Sequence, residues 1–96
     1  MASITILYFA SIRTHLNLER ETVPLPLPGS SQSTSTISDL PQAIHRLHPS
    51  DKVKQILQGC MWSVDEDMVD LEDEEEGKRI LKGGETVAVI PPVSGG

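Results

Sequence analysis

Two runs of strand-forming residues sit at opposite ends of the chain, and they restrict its fold more than any other feature. Ile4-Thr5-Ile6-Leu7-Tyr8-Phe9-Ala10 begins almost at the first residue, and Thr86-Val87-Ala88-Val89-Ile90 is stopped by Pro91-Pro92. Both are rich in β-branched or aromatic side chains, which fit a pleated, half-buried surface. Ile4, Ile6 and Tyr8 share one face of the first run, and Thr5, Leu7 and Phe9 share the other. Both faces are largely apolar, so one is expected to pack on a core and the other to meet a partner. Thr86, Ala88 and Ile90 alternate onto one face of the last run, where Phe9 can lie beside them.

The segments between are weaker. Residues 19–27 read as a second strand, broken late by Pro24, Pro26 and Pro28, since each proline removes a ladder donor. Residues 29–35 form a Gly/Ser/Thr/Gln loop. A helix follows, with Thr36 as N-cap and Asp39 in the first turn. Ile37, Leu40, Ile44 and Leu47 repeat at helical spacing, and Pro49 ends the element. Val53 to Leu57 reads as a further helical turn. Met61-Trp62-Ser63-Val64 and Met68-Val69 read as two short strands joined through Asp65-Glu66-Asp67. Nine of the twelve residues 65–76 are acidic, a composition expected to stay solvated. Lys82-Gly83-Gly84-Glu85 is a turn.

A hairpin, one main helix and a returning strand imply an α+β domain with the helix across one sheet face. If the first and last strands lie side by side, they run parallel around that helix, which is the β-grasp arrangement. The expected division is a domain over residues 1–90 and an extended tail over 91–96.

At 96 residues the chain is one domain, too small to enclose a large active site. Chemistry is therefore expected at an edge, in a tail or at a junction with a partner. The net charge of −6 argues against nucleic acid and anionic membranes, and favours basic partners. The single cysteine, Cys60, rules out an intrachain disulfide and fits a reducing compartment. No apolar stretch is long enough to span a bilayer, and Met1-Ala2-Ser3-Ile4-Thr5 lacks a signal-peptide pattern. The expected location is the cytosol.

The tail Pro91-Pro92-Val93-Ser94-Gly95-Gly96 has a physical use for each part. Two prolines stiffen the exit from the sheet. Two residues without Cβ atoms can thread a narrow channel. A carboxylate is a poor electrophile, but an acyl-adenylate is reactive, so a thin carrier ending on Gly96 suits an activating enzyme. Gly-Gly alone is also what flexible punctuation or a cloning remnant looks like; its placement behind a strand and Pro-Pro-Val-Ser separates the two.

Here a resemblance enters. Ile6-Leu7-Tyr8-Phe9-Ala10-Ser11-Ile12-Arg13 resembles the opening strand of molybdopterin synthase small subunits, which are ubiquitin-like β-grasp proteins. Gly84-Glu85-Thr86-Val87-Ala88-Val89-Ile90-Pro91-Pro92-Val93-Ser94-Gly95-Gly96 resembles their C-terminus. The resemblance implies a sulfur carrier whose Gly96 is adenylated by an activating enzyme with ATP and converted to a thiocarboxylate. The tail then enters the large catalytic subunit and gives sulfur to a cyclic pterin precursor, forming molybdopterin. It implies a heterotetramer of two small and two large subunits, contacted through Phe9, Arg13, Ile90, Pro91, Pro92, Val93, Ser94 and Gly95. It implies no bound cofactor; ATP and the sulfur donor are handled by the activating enzyme.

This chain departs from the family at Thr14, which stands where an acidic residue is common and leaves Arg13 without that neighbour. The stretches 24–35 and 65–76 read as insertions. Other readings stay open: a sulfur carrier for thiamine synthesis or transfer-RNA thiolation, a protein modifier attached through Gly96, or a plain interaction domain. Cys60 is expected to be a small packing residue rather than a sulfur relay. His45 and His48 have i,i+3 spacing but no matching Cys/His pair, so a solvated helix face is expected and no metal. Trp62, Tyr8 and Phe9 are expected in the core or an interface. No nucleophile-elbow or phosphate-loop motif is present.

Overall fold

In the computed structural model, which describes residues 2–28 and 34–92, the first and last strands lie side by side and run parallel. β1 (Ser3–Tyr8) is followed by α1 (Ala10–Leu16) and β2 (Arg20–Pro24). β3 (Ser35–Thr36) leads through a 3-10 turn (Ile37–Asp39) into α2 (Leu40–Leu47) and α3 (Asp51–Gln58). β4 (Met61–Val64), β5 (Asp67–Val69), a second 3-10 turn (Glu76–Lys78), β6 (Ile80–Leu81) and β7 (Thr86–Ile90) follow. The main sheet has the order β2-β1-β7-β4-β5, and β3 pairs with β6 in a small second sheet. Among the described residues, only the β1–β7 pair of the main sheet is parallel, with Thr5 opposite Thr86 and Tyr8 opposite Val89. This is the mixed β-grasp sheet expected from the sequence.

The strand alternation sorts residues by face. Ile4, Ile6 and Tyr8 of β1, Val87 and Val89 of β7, and Trp62 and Val64 of β4 are buried in one cluster. Ile37, Leu40 and Ile44 complete it from the helical side, as their spacing requires, and Leu47 packs at its margin. Ala43, Ile12, Val53 and Leu57 join them. Burying each Leu or Ile contributes about 1.5–3 kcal/mol relative to exposure. Trp62 and Tyr8 therefore belong to the core, whereas Phe9 is 42% exposed.

Local chemistry sets the helix starts. Thr36 and Asp39 form a capping box, with the Thr36 amide donating to Asp39 Oδ2 at 2.9 Å. The residues after this cap make a 3-10 turn, and the α-helix begins at Leu40 with Pro41 in its first turn, where a missing N–H costs nothing. Ser50 caps α3 by accepting from the amides of Lys52 and Val53.

Several features depart from the expectation. The first strand ends at Tyr8, and the single main helix is accompanied by α1 and by a full α3. α1 has no side-chain cap at its start; Asn17, at φ 54°, closes it in the left-handed region that asparagine tolerates. The acidic stretch is exposed as expected but not featureless. Asp65 and Glu66 both take positive φ in the two-residue turn between β4 and β5, the geometry that matches strand twist. Of the loop 29–35, residues 29–33 lie outside the described residues, while Ser35 and Thr36 pair with β6.

A polar cluster ties the sheet to the end of α2. Tyr8 donates its hydroxyl hydrogen bond to Glu21 Oε2, and His48 Nε2 lies 2.7 Å from the same oxygen. The His48 ring meets the Tyr8 ring edge-on, with centroids 6.2 Å apart. His48 thus departs from the expected solvated face, because it caps α2 and turns back over Tyr8. Burial, reinforced by the Glu21 hydrogen bond and charge, holds the Tyr8 hydroxyl pKa far above the ordinary value. The folded chain then binds the tyrosine proton more tightly than the unfolded chain, so this stability is complete below about pH 10 and is lost as pH rises beyond it. Tyr8 is the only tyrosine, so phenolate absorbance reads it alone. We expect no phenolate signal until the protein unfolds. We also expect an alkaline loss of stability in the wild type that is smaller in Tyr8→Phe. A phenolate titrating near pH 10 in the folded protein contradicts the cluster.

Candidate functional apolar face and tail exit

The face of the sheet opposite the core is set by the same alternation. Thr5 and Leu7 of β1, Thr86, Ala88 and Ile90 of β7, and Met61 and Ser63 of β4 point to it. Leu7, Phe9, Ser63, Asp65, Glu66, Thr86, Ala88 and Ile90 line a shallow depression there. Its centre is apolar, and Asp65 and Glu66 form an acidic lip at the hairpin turn. The lip is held to the sheet: the Asp65 amide donates to Thr86 O at 2.8 Å, and the Thr86 amide donates to Asp65 Oδ1 at 2.9 Å.

The expected residues divide in three. Phe9 and Ile90 are brought together on this face. Phe9 continues the parallel ladder by donating its amide to Val89 O at 3.3 Å, and Ala10 then takes φ 54°, turning the chain sharply into α1. Arg13 lies on α1 and is not part of the depression. It has a partner after all, because its guanidinium pairs with the Glu19 carboxylate across the α1–β2 turn. Both side chains are more than half exposed, so the pair contributes little to stability. Thr14, expected to leave Arg13 alone, instead donates to Ala10 O within its helix.

Pro91 is buried and Pro92 exposed directly after β7. A Cβ on Gly59 would sit 3.7 Å from Pro92 Cγ, so the chain leaves the sheet beside the end of α3. Val93, Ser94, Gly95 and Gly96 lie outside the described residues.

Sequence reasoning missed two residues of the face. Met61 is opposite Ile90 and is 53% exposed, and Met68 is opposite Ser63 and is 57% exposed. They extend the apolar face to the sheet edge. The direction follows once Trp62 and Val64 are known to be buried: Met61, one residue before Trp62, points to the opposite face, and Met68 shares that face through its pairing with Ser63. Large exposed thioethers suit an adaptable contact surface.

Cys60 behaves as a packing residue. It is half-buried against the core, its Sγ donates to Ile56 O at 3.1 Å, and burial pushes the thiol up to about 11. His45 lies in the last turn of α2, and His48, at the end of that helix, contacts Glu21. Among the described residues no group of His, Cys, Asp or Glu is arranged to hold a metal ion, and no helix is long and apolar enough to cross a membrane.

Comparison with known proteins adds to this geometry. Residues 6–96 match the ThiS family. A molybdopterin synthase sulfur carrier subunit from Mycosarcoma maydis is 36% identical over 94 residues, covering 98% of this chain and 94% of the relative. The solution structure of the small archaeal modifier protein 1 from Methanosarcina acetivorans has a TM-score of 0.70 at 16% identity, covering 100% of this chain and 98% of that one. A chain of the protein–protein complex of subunits 1 and 2 of molybdopterin-converting factor from Helicobacter pylori is similar at a TM-score of 0.59. That match has 20% identity and covers 98% of this chain and 99% of that one. The structural likenesses establish the ubiquitin-like fold.

The state of Cys60 gives a direct test. A thiol raised to about 11 carries far less thiolate at neutral pH than an ordinary cysteine. Alkylation of the native protein with iodoacetamide is expected to run at least ~10-fold slower than that of the unfolded chain. Equal rates contradict a buried, hydrogen-bonded thiol.

Proposed function

We propose, from the premise that the chain belongs to the ThiS family, that this protein is the sulfur carrier subunit of a molybdopterin synthase. One observation carries the reading: a central strand runs without interruption into Pro91-Pro92, beside an apolar sheet face that exposes Phe9, Met61 and Met68. The face supplies a dock, and the stiff exit aims whatever follows it. The similarity to the Mycosarcoma maydis sulfur carrier subunit, over nearly the whole of both chains, supports the same assignment.

In this reading the reactive atom is the Gly96 carboxyl carbon. An activating enzyme joins the carboxylate to the α-phosphorus of ATP, releasing pyrophosphate. Sulfur from a donor then displaces AMP, leaving a thiocarboxylate. The chain's own contribution is presentation: Gly95 and Gly96 have no side chain to obstruct a channel. The loaded tail enters the large catalytic subunit and passes sulfur to a cyclic pterin precursor. Phe9, Arg13, Ile90 and the segment 91–95 make the contacts, and two small and two large subunits assemble. The pairing of subunits 1 and 2 in the Helicobacter pylori complex supports a two-subunit arrangement. Residues 1–90 act as the folded dock and 91–96 as the carrier tail. The lone cysteine supports a reducing compartment, and we place the protein in the cytosol.

A second reading has an observation behind it. The likeness to the small archaeal modifier protein 1 suits a modifier attached through Gly96, which uses the same acyl-adenylate. A carrier for thiamine synthesis or transfer-RNA thiolation shares the tail chemistry as well. Supply of molybdopterin by the loaded protein together with a large subunit separates these readings.

Two experiments test the proposal. Phe9→Ala and Met68→Asp are each expected to weaken binding to a large subunit by more than ~10-fold, since burying one such side chain is worth about 1.5–3 kcal/mol. Unchanged affinity in both moves the dock elsewhere. Deleting Gly96 is expected to leave thermal stability unaltered while abolishing adenylation and sulfur loading together. Intact-mass measurement after incubation with activating enzyme, ATP and sulfur donor reads the oxygen-to-sulfur exchange. Sulfur loading that survives the deletion leaves a plain interaction domain as the better reading.

A further inference from the structure

A second concavity lies on the helical side of the β4–β5 hairpin, between that hairpin, α2 and the end of α3. Leu57, Trp62, Val69 and Leu71 supply its apolar floor and wall. Trp62 and Leu57 are nearly buried, while Val69 and Leu71 are only partly covered. Met61 and Met68 line its lip, so the concavity is continuous with the apolar outer face. Asp70 and Glu72 form its rim on the hairpin side.

The chemistry of an occupant follows from what surrounds this groove. The rim belongs to an exposed acidic run that continues through Asp73, Glu74, Glu75 and Glu76. The run is held in place. Asp73 Oδ1 accepts from the amides of Glu75 and Glu76 at 2.8 and 3.0 Å, and the Asp70 amide donates to Glu76 Oε2 at 2.6 Å. Gly77 closes the turn where a Cβ would lie 2.6 Å from Leu71 O. The negative charges therefore border the groove without a large ordering cost on binding. Lys54 is the cation on the helical side, so the charge match is for basic residues along the hairpin side. A second copy of this chain is a poor occupant, because each copy carries −6 and would set one acidic rim against another. β5 is the edge strand of the main sheet, which favours an extended segment laid along it.

We propose that this groove is a docking site for an extended segment of a partner protein that alternates apolar and basic side chains. Its apolar side chains sit on Leu57, Val69 and Leu71, and its lysines or arginines face Asp70 and Glu72. The inference stands apart from the sulfur-carrier reading and does not depend on it.

The test is an amide-shift titration of the full, isotope-labelled chain with a decapeptide of alternating Leu and Lys. Saturable shifts are expected at Gln58, Gly59, Val69 and Leu71, weakening as salt is added. Glu72→Lys is expected to weaken binding about threefold to tenfold. Gln42→Trp, an exposed position on the groove wall, is expected to block the peptide sterically while leaving the fold intact. An all-Lys decapeptide and an alternating Leu/Glu decapeptide serve as controls. Equal binding of the all-Lys peptide reduces the site to a bare acidic patch and overturns the proposal. Equal binding of the Leu/Glu peptide removes the charge match and overturns it as well. Shifts confined to Leu7, Ala88 and Ile90, or no saturable shift, also overturn it.

Discussion

Parallel pairing of β1 with β7 is the constraint on which the rest of the structure depends. Two parallel neighbours cannot be joined by a hairpin, so the chain between them must cross over one sheet face. Here that crossover carries α2 and α3, which cover the inner face and leave the outer face bare. The same pairing sets the chain's two ends in register: Tyr8 lies opposite Val89, so Phe9 leaves the sheet beside Ile90 and Pro91. The apolar outer face and the exit at Pro91 become neighbours because of one ladder of hydrogen bonds.

A domain of this size has little stability to spare, yet it leaves Phe9, Met61 and Met68 open to water. Such a face is costly to a monomer, and exposed apolar patches of this kind commonly mark contact surfaces. Its centre is kept shallow by the small side chains of Ala88 and Ser63, which pair across β4 and β7. The acidic lip at Asp65 and Glu66 contributes little affinity at physiological salt, but it biases which surfaces approach.

Much of this was legible in the residues. The alternation in β1 and β7 named the two faces, and the helical repeat Ile37, Leu40, Ile44 named the covering layer. Thr36 and Asp39 marked the helix start. α1 was hidden because its seven residues follow a strong strand run, and because its stop is Asn17 rather than glycine or proline. Leu16 pairs with Ile12 at i,i+4, but one such pair is too short a pattern to outweigh the β-branched residues before it. The outward role of Met61 and Met68 was hidden for a different reason: it follows only when Trp62 and Val64 are known to face the core.

The sequence by itself determined the β-grasp order of elements and the placement of both end strands. These are local facts of side-chain branching, periodicity and proline placement, which act over a few residues. Only the tertiary structure decided the Tyr8–Glu21–His48 cluster, the Arg13–Glu19 pair across the α1–β2 turn and the groove behind the β4–β5 hairpin. Glu21 lies 13 positions from Tyr8 and 27 from His48. Contacts at that separation depend on strand register and on the path of the connections, and neither is written in the spacing of the residues that make them.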